Sequence, residues 1–311
     1  MISSSPLVSI VIPTWNAARY LRATLDSVFA QTYPRWEIVA VDDGSRDDTL
    51  EILRGYGDRI RVLARATNSG TADVPRYEGV EAARGDLVAL LDSDDLWRPD
   101  KLACQVAFMM EHPDIPLSHH YVRVVDAEGR ELHVRHEGII PATGNCARPL
   151  LERCFICTSA VMVRRAAWLA AQSREQLTTY GTEWDFFLSI ARKHPVGFIP
   201  EVLGSYRYFA GSISRKNWRR YPRDVGAMER IYDKKLWEDV VSRREMRGML
   251  YEACLESADA HRDRGDAWRS LYFGVKAVPY RPAHPGGWVR LAKGAARACL
   301  ILRPHAGKVK Q

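Results

Sequence analysis

No apolar run in the 311 residues approaches the roughly 20 needed to span a bilayer, so the chain is expected to be soluble or peripheral. Its first residues lack the charged start, apolar middle and small-residue cleavage site of a secretory leader. The six cysteines form no disulfide-type framework, which fits free thiols in a reducing, cytoplasmic compartment. Cys154 and Cys157 have the spacing of a metal or redox pair. With no second pair and no histidine nearby, they read as strand cysteines. Long repeats and low-complexity linkers are also absent. The domain boundary is therefore soft and is placed near residue 220, between a body over 1–220 and a basic helical region over 221–311. Beyond Asp266 there is no carboxylate, only nine Lys and Arg.

What is present is a globular composition, 46% hydrophobic and 27% charged, with a lopsided charge. The formal net charge is +7, yet Arg215–Gln311 holds 22 Lys and Arg against 11 Asp and Glu, leaving the rest mildly acidic. A basic end of this kind suits phosphates of anionic lipid or nucleic acid, or is simply a solvated face. Arg290, Lys293, Arg297 and Arg303 alternate with Trp288, Leu291, Leu300 and Leu302, as in a helix lying on an anionic membrane or packing on its own domain. Nucleic acid is the weakest partner, because Trp218, Trp237, Trp268 and Trp288 are spread too widely for a stacking motif.

Hydrophobic periodicity predicts alternating strands and helices. Val8–Pro13, Glu37–Val41, Ile60–Leu63 and Leu87–Leu91 read as buried strands, with helices over Ala18–Thr32 and Pro75–Ala83 and a helix containing Leu50, Ile52 and Leu53 capped by Asp47 or Asp48. Further on, Lys101–Met110 reads as helix, Ser159–Val163 as strand, Trp184–Ala191 as helix, and the chain after about Tyr221 as helical. Strand–helix alternation implies a parallel sheet with right-handed crossovers. Acidic residues then fall at two equivalent strand ends, Asp42/Asp43 and Asp92/Asp94/Asp95, the edge at which open α/β sheets bind ligands. Asp92-Ser93-Asp94-Asp95 offers hard oxygen ligands for Mg²⁺ or Mn²⁺ and so for a diphosphate, unless it only caps the helix that follows.

In this order, VSIVIPTWNAARYL, EIVAVDDGSRDDT and NSGTADVPRYEGVEAARGDLVALLDSDDLWRPDKL resemble the family 2 inverting glycosyltransferases, nucleotide-diphospho-sugar transferases with the GT-A fold. The resemblance is strong over Val8–Leu102 and weaker through Thr182–Lys193 and Gly204–Ser214. It implies a Rossmann-like, mostly parallel α/β sheet flanked by helices, with nucleotide-sugar binding over about 1–115, an acceptor side over 116–220 and a helical C-terminal region. It also implies a metal-dependent hexosyl transfer from a UDP- or dTDP-sugar to a saccharide or lipid-linked acceptor, in polysaccharide assembly at the cytoplasmic face of a membrane. By the same resemblance Pro13, Thr14 and Trp15 lie along the nucleoside, Asp43 accepts the base N–H, and Asp42 is structural. Asp94 is the favoured metal ligand, with Asp92 as a second, while Asp92 and Ser93 sit near the ribose and donor sugar. Arg76 contacts phosphate, braces Asp92 or makes a surface ion pair.

Two positions depart from the family pattern. Glu183 stands where relatives carry the catalytic aspartate, and Phe209 where many carry a histidine; Arg207, Ser212 and Ser214 are the nearby substitutes. Asp185 is placed at the helix dipole. His119 and His120 face opposite ways on a strand and read as structural or acceptor-side rather than as a joint metal site. A polyprenyl-phosphate glycosyltransferase and a non-catalytic nucleotide-binding regulator are the alternative readings; the intact acidic cluster weighs against the second.

Overall fold

The computed structural model describes residues 5–138, 143–171, 182–209, 211, 225–286, 288–289 and 292. The chain divides into two compact units, Met1–Ala210 and Gly211–Gln311.

In the first unit β1 (Val8–Thr14) is buried along its whole length, which is why its apolar run lacks polar alternation. It runs parallel to β2 (Trp36–Asp42) on one side and β4 (Leu87–Leu90) on the other, and β3 (Arg61–Ala64) extends this parallel block beyond β2. Helices α1 (Ala18–Phe29), α2 (Thr49–Arg54) and α3 (Asp73–Ala82) make the crossovers. In α1, Leu21, Leu25 and Val28 recur at helical spacing and are buried against the strands. Register pairs Thr14 with Asp42 and Val11 with Leu90, so β1, β2 and β4 end at one edge.

The other half of the sheet is built from β5 (Leu96–Trp97), β6 (Leu117–Val125), β7 (Glu131–Val134), β8 (Met162–Arg164) and β9 (Val196–Arg207). The order is β3-β2-β1-β4-β8-β6-β9-β5, with β7 beside β6. Here β8 is antiparallel to β4 and β6, while β6 and β9 are parallel. The remaining helices of this unit among the described residues are α4 (Lys101–Glu111), α5 (Ala147–Glu152), α6 (Arg165–Ala171) and α7 (Thr182–Ala191).

Several local expectations are corrected. Ser159–Val163 is not one strand: Thr158–Ala160 forms a 3₁₀ turn and the strand starts at Met162. The Ser159 hydroxyl donates to Asp95 and accepts from the Asp92 N–H at 3.1 Å, so polar contacts with the acidic loop override the local β pattern. Cys154 and Cys157 lie in the connection before that turn rather than on a strand, and they form no disulfide with each other. Asp48 occupies the cap position of α2 without a side-chain cap bond; Asp47 instead accepts from the Thr49 and Ala18 N–H groups, each at 3.1 Å, tying the starts of α1 and α2 together.

The second unit contains α8 (Val225–Asp233), α9 (Arg243–Asp263) and α10 (Ala267–Ala277). Ser242 and Glu245 form a full capping box on α9, and Asp266 caps α10 by accepting from the Arg269 N–H. The predicted amphipathic stretch Arg290–Leu302 falls, apart from Ala292, outside the described residues. Among the described residues no helix is long and apolar enough to cross a membrane.

Helix α3 lies close on the sheet because Gly79 faces it: a Cβ there would sit 2.5 Å from Val11 Cγ1. Gly79→Ala should therefore destabilise the protein by about 1–2 kcal/mol, since core overpacking outweighs the gain in helix propensity. Urea unfolding checks the sign, as the same change at an open helical glycine would stabilise.

Candidate active site

The edge where β1, β2 and β4 end collects most of the residues singled out from the sequence. Pro13 and Thr14 are the buried last residues of β1, and Trp15 follows them half exposed. Asn16 holds this turn with φ at +48°, a conformation asparagine tolerates, while its side chain accepts from the Arg46 N–H at 2.8 Å and its own N–H bonds to Ser45 at 2.9 Å. Asp42 is tied into the same turn, accepting from the Ser45 hydroxyl at 2.5 Å and the Ser45 N–H at 3.1 Å.

Asp43 is buried and crowded with donors. It accepts from Asn68 Nδ2 at 2.9 Å, from the Ser69 N–H at 2.9 Å and from the Ser69 hydroxyl at 2.7 Å, and Arg65 Nε pairs with it at 2.7 Å. The 67–70 loop reaches it only because position 44 is glycine. Gly44 has φ at +70°, and a Cβ there would lie 2.8 Å from the Asn68 nitrogen. Sequence reading missed Arg65 and Ser69; a basic residue just past a strand end on the same edge was the available signal.

Arg76 is 1% exposed, so it is no surface ion pair. Its guanidinium bonds Asp73 at 2.8 Å, Asp92 at 3.0 Å and Glu183 at 3.4 Å. Burial alone would lower its pKa, but the charges of Asp92, Glu183 and Asp73 raise it, and it stays protonated. Glu183 stands on the first turn of α7, anchored next door by Trp184, whose Nε1 donates to the Leu150 carbonyl at 2.6 Å. A third of the Glu183 side chain stays open (34%). Desolvation and the charges of Asp73 and Asp92 outweigh Arg76 and push its carboxyl up to about 7. Asp185, two residues on, is buried.

The acidic loop itself is a turn, closed by the Asp95 N–H donating to the Asp92 carbonyl at 3.1 Å. Its residues divide by environment. Asp95 is fully buried, accepting from Ser159 and from the Arg207 N–H at 2.8 Å. The Ser93 carbonyl accepts from Thr24 at 3.0 Å. Asp92 and Asp94 remain partly open, and desolvation with the neighbouring Asp92 charge pushes Asp94 up to about 7. Two adjacent hard carboxylates with poorly balanced negative charge fit a divalent cation that keeps most of its coordination sites for phosphate and water. No group of three or more His, Cys, Asp or Glu suited to a metal occurs among the described residues, so the protein alone would supply a sparse shell.

Arg207 braces the loop from behind: Nε donates to the Asp94 carbonyl at 3.0 Å and the guanidinium lies 4.6 Å over the Tyr20 ring. The Phe209 ring is tilted against that of Tyr20, with centroids 4.9 Å apart, an apolar contact. Ser212 and Ser214 lie outside the described residues. His119 and His120 are buried in β6; burial lowers His119 to about 3 and keeps His120 neutral too. His119 packs on Phe155 and Phe198, which makes it a core histidine.

Comparison with known proteins agrees with this geometry. The model of the family described as glycosyl transferase family 2 matches residues 9–169. The chain is 34% identical over 228 residues to TuaG of Bacillus subtilis, described as a teichuronic acid biosynthesis glycosyltransferase, covering 70% of this chain and 86% of that one. It is 37% identical over 107 residues to WfgD of Escherichia coli, a UDP-Glc:alpha-D-GlcNAc-diphosphoundecaprenol beta-1,3-glucosyltransferase, covering 34% of this chain and 42% of that one. Some curated relatives are much longer, and the chain spans 36% and 35% of two from Rickettsia. Among solved structures, Staphylococcus aureus TarS 1–349 with UDP-GlcNAc superposes with a TM-score of 0.67 at 18% identity, over 94% of this chain and 88% of that one. That likeness is one of fold, the GT-A-type α/β sheet flanked by helices and followed by a helical region. With a family match over more than half its length and a relative this similar across most of both sequences, the chain belongs to glycosyl transferase family 2.

Proposed function

We propose that the protein is an inverting, metal-dependent glycosyltransferase that moves a sugar from a UDP- or dTDP-sugar to a hydroxyl of a saccharide or lipid-linked saccharide in cell-surface polysaccharide assembly. The observation that carries this reading is the shared guanidinium of Arg76, which holds Glu183 beside the acidic loop. A carboxylate able to take a proton thus stands next to carboxylates suited to a diphosphate. Glu183 takes the proton of the acceptor hydroxyl while that oxygen bonds to the anomeric carbon and the bond to the diphosphate breaks on the opposite face. Mg²⁺ or Mn²⁺ held by Asp94 and Asp92 would supply positive charge for the departing diphosphate. Trp15 offers an aromatic face to the nucleoside, and Ser93 lies beside the donor sugar.

The names of the relatives support the substrate class: teichuronic acid for TuaG, a UDP-sugar and a diphosphoundecaprenol-linked acceptor for WfgD, and UDP-GlcNAc in the TarS structure. An acceptor that is already a phosphate anion would need no base, so a carboxylate at Glu183 favours a hydroxyl acceptor. A lipid-linked acceptor places the enzyme at the cytoplasmic face of an anionic membrane.

Four measurements test this reading. A general base must be ionised, so kcat/KM should fall as pH drops through about 7, the value to which Glu183 is raised. Glu183→Gln should lower turnover by about 10²–10⁴ with nearly unchanged UDP affinity, and Glu183→Asp should recover part of it. If the residual activity of Glu183→Gln keeps the same acid limb, the titrating group is Asp94 rather than Glu183. Asp94→Asn should abolish transfer while leaving the unfolding midpoint intact; full activity of that variant in excess chelator would sink the metal assignment. For base recognition, Asp43→Ala should weaken UDP binding by about 1.5–3 kcal/mol in calorimetry. Unchanged affinity would leave Asp43 as a loop anchor for Asn68 and Ser69 only.

A further inference from the structure

The second unit holds a concentration of positive charge among residues to which the proposed transfer reaction assigns no role. The start of α9 and the segment 280–284 after α10 enclose a concavity of roughly 670 Å³. Arg243, Arg244, Arg247, Arg281 and His284 line it, and no carboxylate does. Two acids stand close by without lining it: Glu245 closes the capping box, and Glu252 pairs with Arg281 at 3.8 Å.

The concavity is built rather than incidental. Arg247 is pinned by donating to the Tyr280 carbonyl at 3.3 Å and the Pro279 carbonyl at 2.5 Å. Arg281 lies across α9 at Gly248, where a Cβ would come 2.5 Å from its Nη2, so a side chain at that position would displace the guanidinium. His284 Nδ1 faces both the Gly286 N–H at 3.2 Å and the hydroxyl of the fully buried Tyr251 at 2.7 Å. An Nδ1 that accepts from the backbone leaves the ring proton on Nε2, a further donor. Guanidiniums and an imidazole N–H in this density, without lining acids, match phosphate oxygens.

An exposed tryptophan borders this basic site. Trp288 donates from Nε1 to the carbonyl of Pro282, a residue of the same segment, and its ring is 51% exposed beside a 47% exposed Val289. On α10, Trp268, Tyr272 and Val275 recur at helical spacing on one exposed face. An exposed tryptophan next to arginine is the chemistry of a membrane–water interface, where rings enter the headgroup layer and guanidiniums meet phosphate. We infer that the concavity lined by Arg243, Arg244, Arg247, Arg281 and His284 is a phosphate-headgroup site that docks the second unit on an anionic phospholipid surface. The inference uses no residue of the transfer site and does not depend on the proposed donor or acceptor.

The test is flotation of the full chain with phosphatidylglycerol/phosphatidylcholine vesicles and with phosphatidylcholine alone. Wild type should float with the anionic vesicles only, and less as salt rises. Arg244→Gln/Arg281→Gln should lower the partition coefficient about tenfold or more, as two basic contacts with an anionic surface are lost, and Trp288→Ser should lower it further. Circular dichroism and the unfolding midpoint of each variant verify folding. Wild-type-like flotation of the double variant would overturn the inference, since the basic residues after Arg290 are common to both. So would equal recovery from both vesicle types, or from neither. Saturable binding of inorganic diphosphate without flotation would make it a soluble-anion site and overturn membrane docking.

Discussion

One buried guanidinium sets the geometry of the first unit. Removing two charges from water costs several kcal/mol per ion, and a lone buried arginine could not persist. Arg76 persists because Asp73, Asp92 and Glu183 surround it, from its own helix, from the end of β4 and from a helix more than a hundred residues away. Taking away one member of such a cluster typically costs about 3–5 kcal/mol, because the remaining charges are left buried and uncompensated. The same constraint that holds these three segments together fixes where Glu183 stands relative to the acidic loop. Fold and site are therefore not independent here.

A second tie acts from the opposite side. Asp95 is held by Ser159 and by the Arg207 backbone, and the Arg207 side chain holds the Asp94 carbonyl and lies over Tyr20. The loop between Asp92 and Asp95 is thus gripped at both ends by charge-assisted hydrogen bonds, which are shorter and stronger than neutral ones. The grip is on Asp95, on backbone atoms and on one oxygen of Asp92, and among the described residues no side-chain hydrogen bond holds the Asp94 carboxylate. Rigid backing with open carboxylates in front is what a preorganised ligand site requires.

The strands of the parallel block were legible in the sequence because continuous β-branched runs have few other uses, and Val8–Thr14 shows it with every residue buried. The acidic strand ends were legible because Asp42/Asp43 and Asp92/Asp94/Asp95 follow directly on buried apolar runs, at the edge where such strands stop. Ser159 was not legible. Its neighbours Ala160–Val163 carry a β pattern, and only the long-range bonds to Asp92 and Asp95 turn the chain at Thr158. Arg76 was recognisable as a brace for Asp92, yet its burial and its reach to Glu183 depend on the packing of α7, 107 positions along the sequence. The partners of Asp43 were hidden for the same reason, since Gly44 and the 67–70 loop meet only in three dimensions.

The charge balance of the strand edge bears on the cation. Asp73, Asp92, Asp94, Asp95 and Glu183 face two guanidiniums, Arg76 and Arg207, both already committed to protein partners. Two like charges 4 Å apart repel by about 4 kcal/mol at an effective dielectric constant of 20. Burial, together with that excess, lifts both Asp94 and Glu183 to about 7. A nucleotide diphosphate brought to this edge would add more negative charge to a place that already has a surplus. A divalent cation of the kind proposed above would offset that surplus, and the carboxylates open enough to hold one are Asp92 and Asp94. On these electrostatics the proposed nucleotide-sugar and divalent-cation roles support one another, because the cation would offset the repulsion between the acidic loop and the diphosphate it is proposed to receive.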